Sequence, residues 1–202
     1  MVRSLLDDQI DLNVDVGLFY FREDTIVAEL WDVYDIDGNK TGRLHERGKP
    51  MSAGDSHLVV HIWILNSNGE FLISKRANWP EGMWQTTGGC AIMGDDGLTA
   101  ALRETKEELG IELKPEDGLL FKHYSEPHND DEGMFLVDAW VFRLEVDIST
   151  IVYQAGETCD AMWASPAKIR CMIEDGAFLG RWYSYIDELF SACDIPGFDD
   201  IV

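Results

Sequence analysis

Glu104, Glu107 and Glu108 lie in GCAIMGDDGLTAALRETKEELG, the stretch from Gly89 to Gly110. On a helix turning about 100° per residue, these three carboxylates share one arc of roughly 100°. Glu104 and Glu108 form an i,i+4 like-charge pair, which by itself costs up to about 0.5 kcal/mol. Lys106 points well away from the trio, and only Arg103, four residues before Glu107, is placed to offset it. A run of charges on a helix is ordinarily a solvated face. Three converging carboxylates with little neutralisation are also a seat for a hard divalent cation, which prefers oxygen ligands.

The elements around the trio favour the second reading. Leu98, Ala101, Leu102, Thr105 and Leu109 recur at helical spacing and predict a core-facing stripe. Asp95-Asp96-Gly97 supplies N-terminal helix signals, and Gly110 the stop. Gly88-Gly89 reads as a turn where backbone can approach a ligand closely.

This segment resembles the Nudix box, G-x5-E-x7-R-E-U-x-E-E-x-G-U, where U is bulky and apolar. Gly89, Arg103, Glu104, Glu107, Glu108, Gly110 and Ile111 match without gaps. Asp95 replaces the first Glu with a shorter acid, and Thr105 replaces an apolar residue. The resemblance extends more loosely from about Ala28 to about Ser191. It implies an α/β (α+β) fold, an α/β/α sandwich with a mixed sheet between helices. It further implies Mg²⁺, with Mn²⁺ as a substitute, held by Glu104, Glu107, Glu108 and the Gly88 carbonyl. Arg103 would orient a box carboxylate, foremost Glu107. The implied activity is hydrolysis of a diphosphate linkage in a small molecule such as a nucleoside diphosphate derivative. Dimers are common among such proteins, so a homodimer is a further expectation.

Composition bounds the alternatives. A chain of 202 residues, 46% hydrophobic and 11% aromatic, can bury a real core. A formal net charge of −22 argues against a nucleic-acid backbone as partner. It leaves small phosphorylated ligands open, because a divalent metal bridges acidic protein to anionic substrate. The four cysteines are widely spaced and fit neither a zinc site nor a disulfide framework. Asp7 and Asp8 interrupt what a signal peptide would need, and no stretch approaches the roughly 18 apolar residues of a membrane span. A cytoplasmic protein without membrane partners is expected.

Residues 1–25 read as an N-terminal extension and 26–202 as the domain. Strands are predicted over Ile26 to Tyr34, a return through Arg43-Leu44, His57 to Leu65, Glu70 to Lys75, Trp84 to Thr87, Leu119 to Ser125, Phe135 to Leu144 and Ala161 to Ala164. The acidic turn Asp35-Ile36-Asp37-Gly38-Asn39 lacks the glycine and terminal Glu of a calcium loop and reads as a hairpin turn. Ser165-Pro166 opens a helix, and Trp182 to Ala192 forms a last one.

Beyond the box, Glu157 is a candidate base or extra metal ligand, because functional acids often sit on loops. Glu126 and the run Asp130-Asp131-Glu132 are its rivals. Arg76, after the strand EFLISK, is a candidate phosphate contact or a structural ion pair. Trp79, Trp84 and Trp140 could stack on a base, although tryptophan in a strand-rich core usually packs. Gly89 is counted with Arg76 and Trp84 on the substrate side.

Two rival functions stand beside hydrolysis. His57-Leu58, Trp63 to Asn66, Lys75-Arg76 and Trp84 resemble the isopentenyl-diphosphate isomerase branch of the same fold, in which the histidine at the position of His57 helps bind metal. That branch needs a cysteine where this chain has Gly88, with Cys90 two residues too late, and a Glu pair that Phe135-Leu136-Val137 lacks. His57 then reads as a strand-edge histidine. A nucleotide-sensing module without catalysis is the second rival, disfavoured by the intact Glu trio.

Overall fold

The computed structural model describes residues 28–78, 80–127 and 134–193. Trp79, the Asp130-Asp131-Glu132 run and the extension at 1–25 lie outside these. The described elements are strands β1 (Leu30–Tyr34), β2 (Lys40–Glu46), β3 (Ser56–Leu65), β4 (Phe71–Arg76), β5 (Trp84–Gln85), β6 (Thr87–Cys90), β7 (Gly118–Pro127), β8 (Met134–Arg143) and β9 (Thr158–Ala164). Three α-helices join them: α1 (Gly97–Leu109), α2 (Pro166–Glu174) and α3 (Ile186–Cys193).

The organising element is β3. Its sequence SHLVVHIWIL is almost wholly buried because both faces of the strand are covered, which is what a continuous apolar run requires. Along one edge β8 runs parallel to it, from Ser56↔Met134 to Leu65↔Arg143, with β7 antiparallel beyond. The other edge is shared by three partners in succession: β1 at Ser56, β6 from Val59 to Ile62, and β4 at Ile64 and Leu65. β4 in turn pairs with β9 and β5, and β1 with β2. The sheet is therefore mixed and splits beside β3 between β6 and β4.

Leu58, Val60, Ile62 and Ile64 point to one face and meet Ala100, Ala101 and Leu109 of α1. Trp63 and Leu65 point to the other and meet Ile169 of α2 with Leu189 and Phe190 of α3. Two cores, one on each side of a mixed sheet, make the α/β/α sandwich that the sequence implies.

The local signals mostly act as expected. Asp96 caps α1 by accepting from the Thr99 amide at 2.8 Å, and Gly110 ends it in a left-handed conformation, φ 67°. Ser165 caps α2 ahead of Pro166. The Asp35 carboxylate accepts from the amides of Asp37 and Asn39, so the acidic turn is occupied with closing its own hairpin.

Three expectations are corrected. Gly88-Gly89 is strand, not turn: both residues belong to β6 and pair with His61 and Val60. The last helix begins at Ile186 and not Trp182, because Tyr183 and Tyr185 leave helical geometry to bury their rings in the core. His57 is no edge residue; it is 2% exposed on the central strand, stacked on Trp31 at 4.2 Å and edge-on to Phe135.

Candidate active site

The glycines of β6 earn their place by closeness. A Cβ on Gly88 would stand 2.3 Å from the Val60 carbonyl oxygen, and one on Gly89 would stand 2.5 Å from the Glu104 carboxyl carbon. Only glycine lets the box helix lay Glu104 flat against the strand. The close approach expected of these glycines is present, on strand instead of turn backbone.

Arg103 organises the carboxylates. Its Nε donates to Asp95 at 3.1 Å, Nη1 to Glu104 at 2.7 Å and to Glu107 at 3.1 Å, and Nη2 to the Cys90 carbonyl at 3.0 Å. The shorter acid at position 95 therefore still reaches its partner, and Arg103 holds three carboxylates where Glu107 was foremost. Thr105, the second departure, is buried and returns its hydroxyl to the Ala101 carbonyl at 2.8 Å, which satisfies it inside the helix.

The trio does not share one environment, contrary to the expectation of simple convergence. Glu107 is 48% exposed, Glu104 is mostly covered, and Glu108 is 8% exposed. Glu108 falls beside Ala101 and Thr105 on the buried side of α1. Among the described residues no three acids, histidines or cysteines stand grouped around one point as ligands. Arg103 accounts for this by drawing Glu104 and Glu107 onto itself.

The donor set nevertheless fits a hard cation. Arg103 takes Glu104 by Oε1 and Glu107 by Oε2, which leaves the second oxygen of each clear of it. Glu108 Oε2 is buried with no hydrogen-bond partner among the described residues. An orphaned carboxylate oxygen is costly and calls for an explanation. Burial first, then the charges of Glu104 and Glu157, push the Glu108 pKa well above the ordinary carboxylate range, against a lowering effect of Arg76. Burial likewise raises Glu104, with Arg103 opposing.

Glu157 is brought to this group by its backbone. Val152 and Gln154 donate to the carbonyls of Leu109 and Glu108, each at 3.0 Å, which straps the 152–157 segment to the end of α1. Ala77 then donates to the Glu157 carbonyl at 2.8 Å, and Asn78 donates its side-chain amide to the Glu157 carboxylate. Arg76 stands behind Asn78: Nη2 donates to Asn78 at 2.6 Å and Nη1 to Gln85 at 2.9 Å, with Trp182 under the guanidinium. Both outer nitrogens of Arg76 are thus engaged within the protein.

Trp84 packs with the α2–α3 core and carries Lys75 over its ring at 5.7 Å, and Trp140 packs against Phe142 on the α1 side. Glu126 sits on β7, which pairs with β8, beside Tyr124. Sequence reading passed over Asn78 and Gln85, the partners of Arg76, and Glu29 with Arg47 at the base of the first hairpin. No spacing signal marks any of them, since strand pairing alone brings them in.

Known proteins resemble this chain in sequence and in fold. The NUDIX domain family matches residues 55–183. A Nudix hydrolase of Listeria monocytogenes is 30% identical over 169 residues, 81% of this chain and 94% of that protein. An isopentenyl-diphosphate Delta-isomerase of Escherichia coli is 23% identical over 137 residues, 65% of this chain and 74% of that one. In fold, a protein of Deinococcus radiodurans superposes with a TM-score of 0.60 at 20% identity, covering 83% of this chain and 100% of its own. With its box helix, its glycine strand and its arginine-tied carboxylates in place, the chain belongs to the Nudix hydrolase family.

Proposed function

We propose that this Nudix hydrolase cleaves the diphosphate linkage of a nucleoside diphosphate derivative or similar small molecule, with Mg²⁺ or Mn²⁺ as cofactor. One observation carries the reading: the buried Glu108 carboxylate, one oxygen without a partner, among Glu104, Glu107 and Glu157. Such an arrangement is unfavourable for stability alone and becomes favourable when a cation is shared among the oxygens.

Glu104, Glu107 and Glu108, with the Gly88 carbonyl, would hold the ion. When bound, it supplies charge neutralisation at phosphoryl oxygens and a water of lowered pKa. The protein does the rest. Arg103 fixes two of the carboxylates in place, and the glycines of β6 keep the strand close to them. Glu157, steadied by Asn78 and through it by Arg76, would accept a proton from the attacking water. Arg76 serves in this scheme by positioning that base.

Isomerisation is disfavoured by Cys90, whose thiol burial pushes up to about 12. No helix among the described residues is long and apolar enough to cross a membrane, and the unpaired spacing of the cysteines favours the cytoplasm. The test is a screen of nucleotide sugars, dinucleotides, nucleoside di- and triphosphates and coenzyme A with Mg²⁺ and Mn²⁺. Metal-dependent release of a phosphorylated product that Glu108→Gln abolishes would support the reading. Tight binding of a nucleotide without any turnover would instead make the chain a sensor.

A further inference from the structure

The acidic site must receive an anion, and the chain has only 16 lysines and arginines against 38 acids. Cations near the box are mostly spent. Arg103 uses Nε, Nη1 and Nη2 on Asp95, Glu104, Glu107 and the Cys90 carbonyl. The outer nitrogens of Arg76 hold Gln85 and Asn78. Lys40 donates to Asp32 at 2.7 Å and to the Asp95 carbonyl at 2.8 Å.

Arg47 differs. Only its Nη1 is engaged, with Glu29 at 2.9 Å, and among the described residues nothing meets its Nε or Nη2. Its position is fixed from behind: Trp31 Nε1 donates to the other Glu29 oxygen at 2.7 Å, and the Arg47 amide donates to the Glu29 carbonyl at 2.9 Å. The hairpin is also strapped to the segment that leads into α1. Met93 donates to the Leu30 carbonyl at 2.7 Å, and Gly94 to Asp32 at 2.9 Å. This ties the base of the hairpin to the short segment between β6, where Gly89 lies against Glu104, and α1. Burial would lower the Arg47 pKa, but the charges of Glu29, Cys90 and Glu157 outweigh it and raise it. The side chain is still 36% exposed, open to a ligand from solvent.

We propose that Arg47 binds a phosphate of the substrate, with Glu29 and Trp31 holding its guanidinium in register. This rests on the diphosphate reading above. It places a substrate contact outside the segment 55–183 that matches the family, so the first hairpin is part of the active site. A planar fork anchored at one corner suits bidentate recognition of phosphate oxygens. A purely structural role would be an exposed ion pair closing a hairpin, worth about 0–1 kcal/mol.

The test titrates methylenebisphosphonate, a non-hydrolysable diphosphate, into the full chain with Mn²⁺, beside a titration of Mn²⁺ alone. Arg47→Gln should weaken bisphosphonate at least tenfold, with Mn²⁺ affinity and melting temperature unchanged. Arg47→Lys should recover part of the loss, and Glu29→Gln should show a smaller one. Bisphosphonate affinity within twofold of wild type in Arg47→Gln would overturn the proposal. So would a loss that follows the melting temperature. A wild-type chain that takes up no Mn²⁺ would remove the carboxylate reading itself, whereas intact Mn²⁺ uptake with an indifferent Arg47 removes only this one.

Discussion

Two buried polar centres lie on opposite faces of the sheet, and they are built to different standards. Behind β3, the Tyr185 hydroxyl accepts from Trp63 Nε1 at 2.9 Å and meets His61 Nδ1 at 3.0 Å, with Tyr183 edge-on to the imidazole. Each group there has a neutral partner. In front, Glu108 is buried among other acids with an oxygen unpaired. A network of satisfied neutral groups rigidifies a core at little cost, whereas a partnerless carboxylate is tolerated only where something else repays it. On the proposed reading, the contrast separates a structural centre from a functional one.

The sharpest way to break that contrast is Glu108→Gln. Turnover should fall by orders of magnitude, since the amide keeps the volume and loses the charge. Stability of the metal-free protein should move the other way, with a melting temperature a few degrees higher at neutral pH. The sign follows from linkage. A carboxyl whose folded pKa is raised contributes stability that is present in acid and lost as pH rises through the folded value. The glutamine variant lacks that loss, and Mg²⁺ should reduce it in the wild type. A variant that is both less stable and fully active would place Glu108 in the structural class.

Arg103→Gln comes next. It strips Asp95, Glu104 and Glu107 of their shared cation and leaves Glu104 mostly covered and uncompensated. Denaturant unfolding should show a loss of about 3 kcal/mol, together with lost activity.

On the other face, Tyr185→Phe should cost about 2 kcal/mol by orphaning Trp63 Nε1 and His61, while catalysis per folded molecule is unchanged. A smaller effect belongs to His61 itself. Burial pulls its pKa down to about 3 from an ordinary 6.5, so it stays neutral in the fold while the unfolded chain protonates. The stability it contributes is complete above the ordinary value and is lost as pH falls from there toward 3. His61→Gln should flatten the decline of unfolding free energy with acid; an unaltered slope would mean that other groups carry it.

What the sequence revealed of each face follows from the distances over which residues cooperate. The box helix, its caps at Asp96 and Gly110, and the apolar strand that became β3 are written in contiguous patterns, and the structure agrees with them. The glycine strand was legible as glycine but not as strand, because its reason is a neighbour 15 residues away, Glu104. Whether Glu108 or Glu107 is the buried acid cannot be read from a helical wheel that puts both on one arc; the packing of α1 decides it. The Arg76–Asn78–Glu157 chain and the Glu29–Arg47 pair depend on strand pairing across long separations, which spacing alone does not encode.

The smallest effect is expected at Cys90, which joins the two readings of the family's chemistry. Its thiol is buried and pushed up to about 12, so almost none of it is thiolate at neutral pH, and its carbonyl is already committed to Arg103. A hydrolase that works through carboxylates has no use for that sulfur. Cys90→Ser should therefore keep turnover within about twofold of wild type and lose about 1 kcal/mol of stability, the cost of burying a hydroxyl in place of a thiol. Steady-state rates beside a thermal melt would check both. A folded Cys90→Ser protein without activity would mean that the sulfur takes part in the reaction, and the isomerase-like chemistry would then be the better account of this site.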